Sequence, residues 1–280
     1  MQKNTTQAKI AVIGGGSWAT ALVKILSENN VKINWWLRNR EDVDYIRLHQ
    51  TNPNYLSDIQ INLKKVKPTT DLKKAVEDSS IVILAVPAAF IKEVLLKLNP
   101  ADFKDKIIVS TIKGMIPEEN ILVTEYVAEN FKVSSQSIAV IAGPCHSEEI
   151  AMEKRSYLTI AGNDLINARE VADLLNCRYV KTSVIKDLSG VEYAAIMKNI
   201  IAISCGIARG LNYGDNFQSV LVSNSMHEIK RFLSDMHPMK ERDLNASAYL
   251  GDLLVTCYSQ FSRNRTLGNM VGRGYSVKSA

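Results

Sequence analysis

The chain has 280 residues, of which 46% are hydrophobic and 22% charged, with 14 Gly, 7 Pro and 4 Cys. That composition excludes a wholly disordered chain, a collagen-like fibre and a disulfide-dense scaffold, and the length allows about two domains. Thirty-four basic and 29 acidic side chains leave a net charge of +5. They interleave along most of the chain, which argues for anionic ligands and against nucleic acid as a partner.

The segment from Met1 to Lys9 is polar, with no apolar core of a secretory signal. The densest apolar stretch, Ala194 to Ala208, is broken by Lys198 and Asn199 and is read as too short and too polar for a membrane span. Cys145, Cys177, Cys205 and Cys257 are far apart and form no Cys/His metal motif. These features predict a cytoplasmic protein with free thiols, no metal site and no membrane insertion.

Short apolar runs alternate with helical patterns in the first part of the chain. Strands are expected at Ile10–Ile13, Val31–Leu37, Ile81–Val86, Ile107–Ile112 and Ile138–Ala142. Helices are expected at Trp18–Asn29, from Glu41, at Asp71–Glu77 and at Ala88–Leu98. This alternation predicts an α/β, doubly wound parallel sheet. Beyond Lys186 the pattern is helical only, over Asp187–Arg209, Phe217–Ser234 and Asn245–Tyr258. We therefore expect a dinucleotide-binding domain over residues 1–184 and an all-α substrate domain over residues 185–280.

The turn after the first strand reads Gly14-Gly15-Gly16-Ser17-Trp18-Ala19 and fits G-x-G-x-x-G/A. Gly14 permits the tight turn, Gly16 lets the backbone approach a pyrophosphate, and Ala19 keeps helix and strand close. A strand before and a helix after supply the context the motif needs, so a dinucleotide is favoured over a ligand-free turn. The second strand ends in Arg38-Asn39-Arg40, where NAD-specific versions carry a carboxylate. Arg38 is placed to pair a 2′-phosphate, or is a solvated strand-end arginine; Glu41 and Asp42 just behind it weaken the first reading.

On a helix, Lys198 shares a face with Val191, Ala194, Ala195, Ile201, Ala202 and Cys205. A buried lysine loses charge stabilisation and suits general acid/base chemistry; a lysine that snorkels to water fits the periodicity equally well. Lys113-Gly114 and the Gly143-Pro144-Cys145-His146-Ser147 run both follow strands, at the sheet edge where open α/β folds bind ligands. Neither Cys145 nor His146 has an evident partner for nucleophilic chemistry. Near the end, Asp252 and Thr256 lie one helical turn apart, and Ser262-Arg263-Asn264 opens a helix in a manner suited to a phosphate. Arg263 is preferred for that role, while Arg265, Arg273 and Lys278 read as a solvated basic loop.

Taken in order, these segments resemble the bacterial NAD(P)-dependent glycerol-3-phosphate dehydrogenases. The markers are Gly14–Leu22, Lys113-Gly114, Gly143-Pro144, Gly190-Val191-Glu192 with Lys198-Asn199, Leu211–Asn216, and Gly251-Asp252-Leu253 with Thr256-Cys257 and Ser262–Arg265. The resemblance implies a Rossmann-like domain plus a helical substrate domain, a homodimer, NADP or NAD as cofactor, and interconversion of dihydroxyacetone phosphate and sn-glycerol 3-phosphate for glycerophospholipid synthesis. It implies Lys198 as proton donor/acceptor, with Lys113 and Asp252 also catalytic. Lys113, Gly143, Cys145, Asn199, Asp252, Thr256, Ser262, Arg263 and Asn264 would hold substrate. Gly14, Gly16, Ser17, Trp18, Arg38, Asn39, Lys113, Ser147 and Arg263 would contact the dinucleotide. Departures are Ala19 for the third glycine, His146-Ser147 for Phe-Ala or His-Ala, and Val222–Ser225 where Thr-Arg-Gly is usual. The family length also places the end of the helical domain about 50 residues beyond Ala280, so a truncated domain is expected. The alternatives are a β-hydroxyacid dehydrogenase of similar plan and a non-catalytic dinucleotide sensor.

Overall fold

The computed structural model describes residues 9–280; the polar amino-terminal segment read above for a secretory signal lies outside the described residues, apart from Lys9. The chain divides into two compact units. The first runs to Ile141 and again from Cys145 to Leu188; the second takes residues 142–144 and Ser189–Ala280.

The first unit is built on β1 (Lys9–Ile13), α1 (Ser17–Ser27), β2 (Lys32–Trp36), α2 (Arg40–His49), β3 (Val66–Thr69), α3 (Leu72–Glu77), β4 (Ile81–Leu84), α4 (Ala88–Leu95), β5 (Ile107–Ser110), α5 (Val123–Phe131), β6 (Ile138–Ala142), α6 (Ser147–Ala151), β7 (Ser156–Gly162), α7 (Leu165–Leu175) and β8 (Val180–Ile185). The eight strands form one sheet in the order β3-β2-β1-β4-β5-β6-β7-β8. From β3 across to β6 every neighbouring pair is parallel, as are β7 and β8. Chain order reverses direction at β1, flanked by β2 on one side and β4 on the other, so a topological switch point lies at the carboxyl ends of β1 and β4. Strands β1, β4 and β6 are apolar on both faces and almost wholly buried, as a helix-covered parallel sheet requires.

Four elements at the far edges escaped the sequence reading. Strand β3 is an edge strand holding Pro68, which pairs only with β2 and so tolerates the missing N–H. Strands β7 and β8, with α7 between them, extend the sheet well beyond β6; β8, at the opposite edge, reads Val-Lys-Thr-Ser-Val-Ile and carries no continuous apolar run. The division between units falls at Leu188, past the end of β8, where the expected boundary followed residue 184.

The second unit holds α8 (Leu188–Gly210), α9 (Asp215–Met236), a π-helical turn over Ser247–Gly251, α10 (Asp252–Tyr258) and α11 (Arg263–Gly272). Helix α8 is long and apolar enough to cross a membrane by length and composition. Its buried Glu192 and Lys198, and a window 61% buried within the protein, identify it as a core helix instead. Gly206 and Gly210 of α8 face Gly268 and Gly272 of α11 at backbone contact. A Cβ at Gly206 would lie 2.1 Å from the Arg265 carbonyl oxygen, and one at Gly268 would lie 2.1 Å from that of Ile203.

Candidate active site

The glycine turn is clamped from both neighbouring strands. Gly14 N–H donates to the Trp36 carbonyl at 3.0 Å, and the Trp35 indole donates to the Gly14 carbonyl at 2.7 Å. Gly14 has φ +136°, and a Cβ there would meet the Ala85 carbonyl oxygen at 2.4 Å. Both the dihedral and the space demand glycine. Gly14→Ala is therefore expected to lower the melting temperature and abolish dinucleotide binding, measured by thermal unfolding and by fluorescence titration with NADPH and NADH. An alanine variant binding either cofactor normally would contradict this account of the turn.

A buried asparagine that the sequence reading missed holds the turn from the other side. Asn52 donates to the Gly15 carbonyl at 3.0 Å and to Thr20 Oγ1 at 2.8 Å, while its Oδ1 accepts from the N–H groups of Asn54 and Tyr55 at 3.0 and 3.2 Å. The Asn52-Pro53 pair marks a turn in the sequence but says nothing of its long-range partners.

Three observations fit this turn to a dinucleotide. A Cβ at Gly16 would meet nothing within 4 Å, so the backbone there is open to close approach. Helix α1 starts at Ser17 with no side-chain cap and no acidic residue in its first turn, leaving its N–H groups and positive dipole end for an anion. The Trp18 indole nitrogen is enclosed without a hydrogen-bond partner. The turn opens onto a cleft of about 520 Å³ whose lining includes Gly16, Arg38, Asn39, Asp42, Tyr55 and Lys97. Arg38 and Asn39 are exposed on its wall, and Arg38 Nε donates to Asn39 Oδ1 at 3.4 Å. Asp42 lines the same cleft, held by Asn39 at 3.3 Å and Asn54 at 2.9 Å. Both a cation and a carboxylate thus stand at the second strand's tip, one suited to a 2′-phosphate and the other to a ribose hydroxyl.

Lys113 is half-buried beyond the end of β5, before Gly114, where a Cβ would crowd Ala88 Cβ at 2.7 Å. Cys145 is buried, and Ser147 is the first residue of α6, donating to Glu148 at 3.1 Å.

In the second unit Lys198 does not snorkel. It is 4% exposed and forms an ion pair with Asp252, itself 1% exposed. Burying two opposite charges together neutralises them and satisfies part of their hydrogen-bonding capacity. The Thr256 hydroxyl, also buried, donates to the Asp252 carbonyl at 2.6 Å, which fixes the first turn of α10. Asn199 is half-buried beside Lys198. Gly143 adopts φ +116°, and Pro144 packs on Gly251, where a Cβ would lie 3.6 Å from its Cγ. That contact brings the Gly143-Pro144 loop to the start of α10.

Ser262 is the buried N-cap of α11 and accepts from the Arg265 N–H at 3.3 Å. Arg263 is exposed and Asn264 half-buried in the first turn. Arg265 departs from the solvated reading given to it: it is half-buried, and its Nε is enclosed without a hydrogen-bond partner. The close crossing of α8 and α11 draws it inward, a tertiary effect no local pattern carries. Arg273 and Lys278 are exposed.

The doubly wound sheet with a glycine turn at its switch point, followed by a helical unit around a buried lysine–carboxylate pair, defines a Rossmann-like dinucleotide-binding oxidoreductase architecture. Residues 9–168 match the family described as NAD-dependent glycerol-3-phosphate dehydrogenase N-terminus, and residues 187–280 match its C-terminus. The chain belongs to that family. It is 35% identical over 271 residues to glycerol-3-phosphate dehydrogenase [NAD(P)+] of Syntrophomonas wolfei, covering 96% of this chain and 78% of that protein. It is 33% identical over 273 residues to the enzyme of that name from Bacillus subtilis, again covering 96% and 78%. The crystal structure of glycerol-3-phosphate dehydrogenase from Coxiella burnetii superposes with a TM-score of 0.89 at 29% identity, over 97% of this chain and 82% of that one.

Proposed function

We propose that this protein is an NAD(P)-dependent glycerol-3-phosphate dehydrogenase interconverting dihydroxyacetone phosphate and sn-glycerol 3-phosphate. The observation that carries the reading is the match of both halves of the family to this chain in order, with the buried Lys198–Asp252 pair inside the second half. When bound, the cofactor supplies or accepts the hydride at the substrate carbon.

The residues of the chain do the rest. The N–H groups at the start of α1 hold the pyrophosphate, with Ser17 and Trp18 beside it. Arg38 and Asn39 meet the adenosine ribose, and Ser147 and Arg263 add cofactor contacts. Lys198 delivers a proton to the carbonyl oxygen in reduction and takes it from the hydroxyl in oxidation. Asp252 orients the ammonium and balances its charge, so proton loss and gain occur at a fixed position. Lys113, Asn199, Thr256, Gly143 and Cys145 hold the three-carbon chain, and Ser262, Arg263 and Asn264 hold the phosphate at the start of α11. The same reading makes the enzyme a cytoplasmic homodimer serving glycerophospholipid synthesis. Support for a soluble protein comes from α8, whose buried ion pair belongs to a core helix.

Arg263→Ala tests the phosphate assignment. The variant is expected to raise KM for dihydroxyacetone phosphate far more than KM for unphosphorylated dihydroxyacetone, because a guanidinium facing a phosphate acts only when the phosphate is present. Steady-state kinetics with both substrates decide it. Equal losses on the two would give Arg263 to the cofactor or the fold.

A further inference from the structure

The sheet of the first unit has a second cleft, at the edge opposite the glycine turn. It lies at the amino ends of β1, β2 and β3, measures about 520 Å³, and shares no lining residue with the cleft beside Gly14. Its lining carries Lys9, Lys32, Lys64, Lys65, Lys67 and Arg47 against a single carboxylate, Asp78. Arg47 is paired with Asp44 at 3.6 Å and Asp78 with Lys74 at 3.6 Å, so the five lysines are the excess. Among the described residues none of the five forms an ion pair, and the segment Met1–Ala8 contains no acidic residue. The five equal the net charge of the whole chain, +5; every other basic side chain is matched in number by an acidic one.

The pleat of the sheet gathers this charge. Lys9 is in register with Lys32 across β1 and β2, and Asn34 with Lys67 across β2 and β3. Residues two apart on a strand share a face, so Lys9, Lys32 and Lys67 all leave the same face of the sheet. Adjacent strands lie about 4.8 Å apart, which starts the Lys9 and Lys32 stems side by side. Like charges set directly opposite one another cost stability. Two of the lysines are held by neutral carbonyls, which leave their charge in place. Lys32 Nζ donates to the Lys64 carbonyl at 2.8 Å, and Lys65 Nζ to those of Ser27 and Asn29 at 2.6 and 2.9 Å. Lys9, Lys64 and Lys67 are exposed. A surface charged only for solubility would scatter or pair these groups.

We propose that this cleft is a second ligand site, for a small molecule carrying two or more phosphate groups, held by Lys9, Lys32, Lys64 and Lys67. The inference is independent of the dehydrogenase reading, because the glycine turn stands at the other edge of the sheet. A lysine ammonium binds phosphate as a point charge, without the fixed fork of arginine. Several of them around one cleft match a phosphate chain, whose charged oxygens point in several directions, better than a lone carboxylate. The volume falls within the range of sites for small organic ligands, and Ile33, Leu63 and Pro68 give the lining an apolar part for an organic body. A concave site of this size fits a soluble molecule better than a flat lipid surface. An anion bound here relieves the repulsion between Lys9 and Lys32, so it stabilises the folded unit as it binds.

The experiment titrates the purified full chain with inorganic tripolyphosphate by calorimetry at low ionic strength, with NADPH at saturation to fill the glycine turn. The expected result is a single equivalent bound, an affinity that falls as salt is raised, and a higher melting temperature with the ligand than without it. The triple variant Lys9→Gln, Lys64→Gln and Lys67→Gln is expected to weaken binding roughly tenfold or more and to leave NADPH affinity unchanged. Without ligand it is expected to melt above the wild type, since the like-charge repulsion is gone. Lys104→Gln, Lys132→Gln and Lys181→Gln together form the control, removing the same charge from exposed positions outside the cleft. That control is expected to bind tripolyphosphate as the wild type does. Should the cleft variant fold poorly, protection of wild-type Lys9, Lys64 and Lys67 from acetic anhydride by tripolyphosphate reads the same site. No binding to the wild type, undiminished binding to the cleft variant, or equal weakening in both triple variants overturns the proposal. Retention on phosphatidylglycerol vesicles without uptake of tripolyphosphate also overturns it, in favour of a membrane-facing surface. Protein that binds no NADPH would refute the dinucleotide reading, while the comparison of variants would still decide the cleft.

Discussion

Replacing Lys198 by methionine is expected to eliminate turnover, by at least the roughly 10²–10⁴-fold that a general acid/base contributes. The same substitution strands Asp252, 1% exposed, as an uncompensated buried charge. Removing one member of such a pair costs about 3–5 kcal/mol, a large share of a protein's marginal stability. A folding defect alone would imitate a catalytic one, so the informative variant is Lys198→Met with Asp252→Leu. Exchanging both charges for apolar groups of similar volume is often neutral for stability. The double variant is expected to regain the wild-type urea midpoint and to bind dinucleotide, yet remain without turnover. Recovery of activity along with stability would remove Lys198 from the proton transfer.

Gly206→Ala is expected to have the next largest effect. At an ordinary helical site this change gains about 1 kcal/mol in helix propensity. Here the new methyl carbon would stand 2.1 Å from the Arg265 carbonyl oxygen and 2.8 Å from the Asn269 nitrogen, both backbone atoms. No flexible side chain is available to give way, so α11 must move. Overpacking of this kind costs roughly 1–3 kcal/mol or more and outweighs the propensity gain. Because Ser262, Arg263 and Asn264 open α11, the shift also misplaces the proposed phosphate contacts, and a displacement near 1 Å costs about 10²-fold in rate. The expected readout is a lowered melting temperature with a kcat/KM loss larger for dihydroxyacetone phosphate than for dihydroxyacetone. Gly214→Ala is the control, since a Cβ there would meet nothing within 4 Å. Equal behaviour of the two variants would show that the α8–α11 crossing has slack.

The parts of this structure legible in the sequence are those encoded by local pattern. The glycine turn, the buried strands at its sides and the long apolar helix around Lys198 each carry their own periodicity. Features set by distant partners were not legible. Periodicity left Lys198 balanced between burial and snorkelling, and what separates the two is a carboxylate 54 residues away. Asn52 reads as a turn residue, and only the fold brings it under Gly15. Arg265 reads as solvated until the glycine-on-glycine crossing draws the start of α11 against α8. Strand β3, which carries Pro68 and no continuous apolar run, is permitted by its edge position, which the local sequence does not reveal.

The most direct measurement is the dihydroxyacetone phosphate-dependent oxidation of NADPH and of NADH by the purified protein, followed at the nicotinamide absorbance with the product identified. Both cofactors are expected to be oxidised in amounts equal to the sn-glycerol 3-phosphate formed, and a 3-keto acid without phosphate is expected to remain unreduced. Dinucleotide binding with no such oxidation, or reduction of the keto acid in its place, would overturn the dehydrogenase assignment.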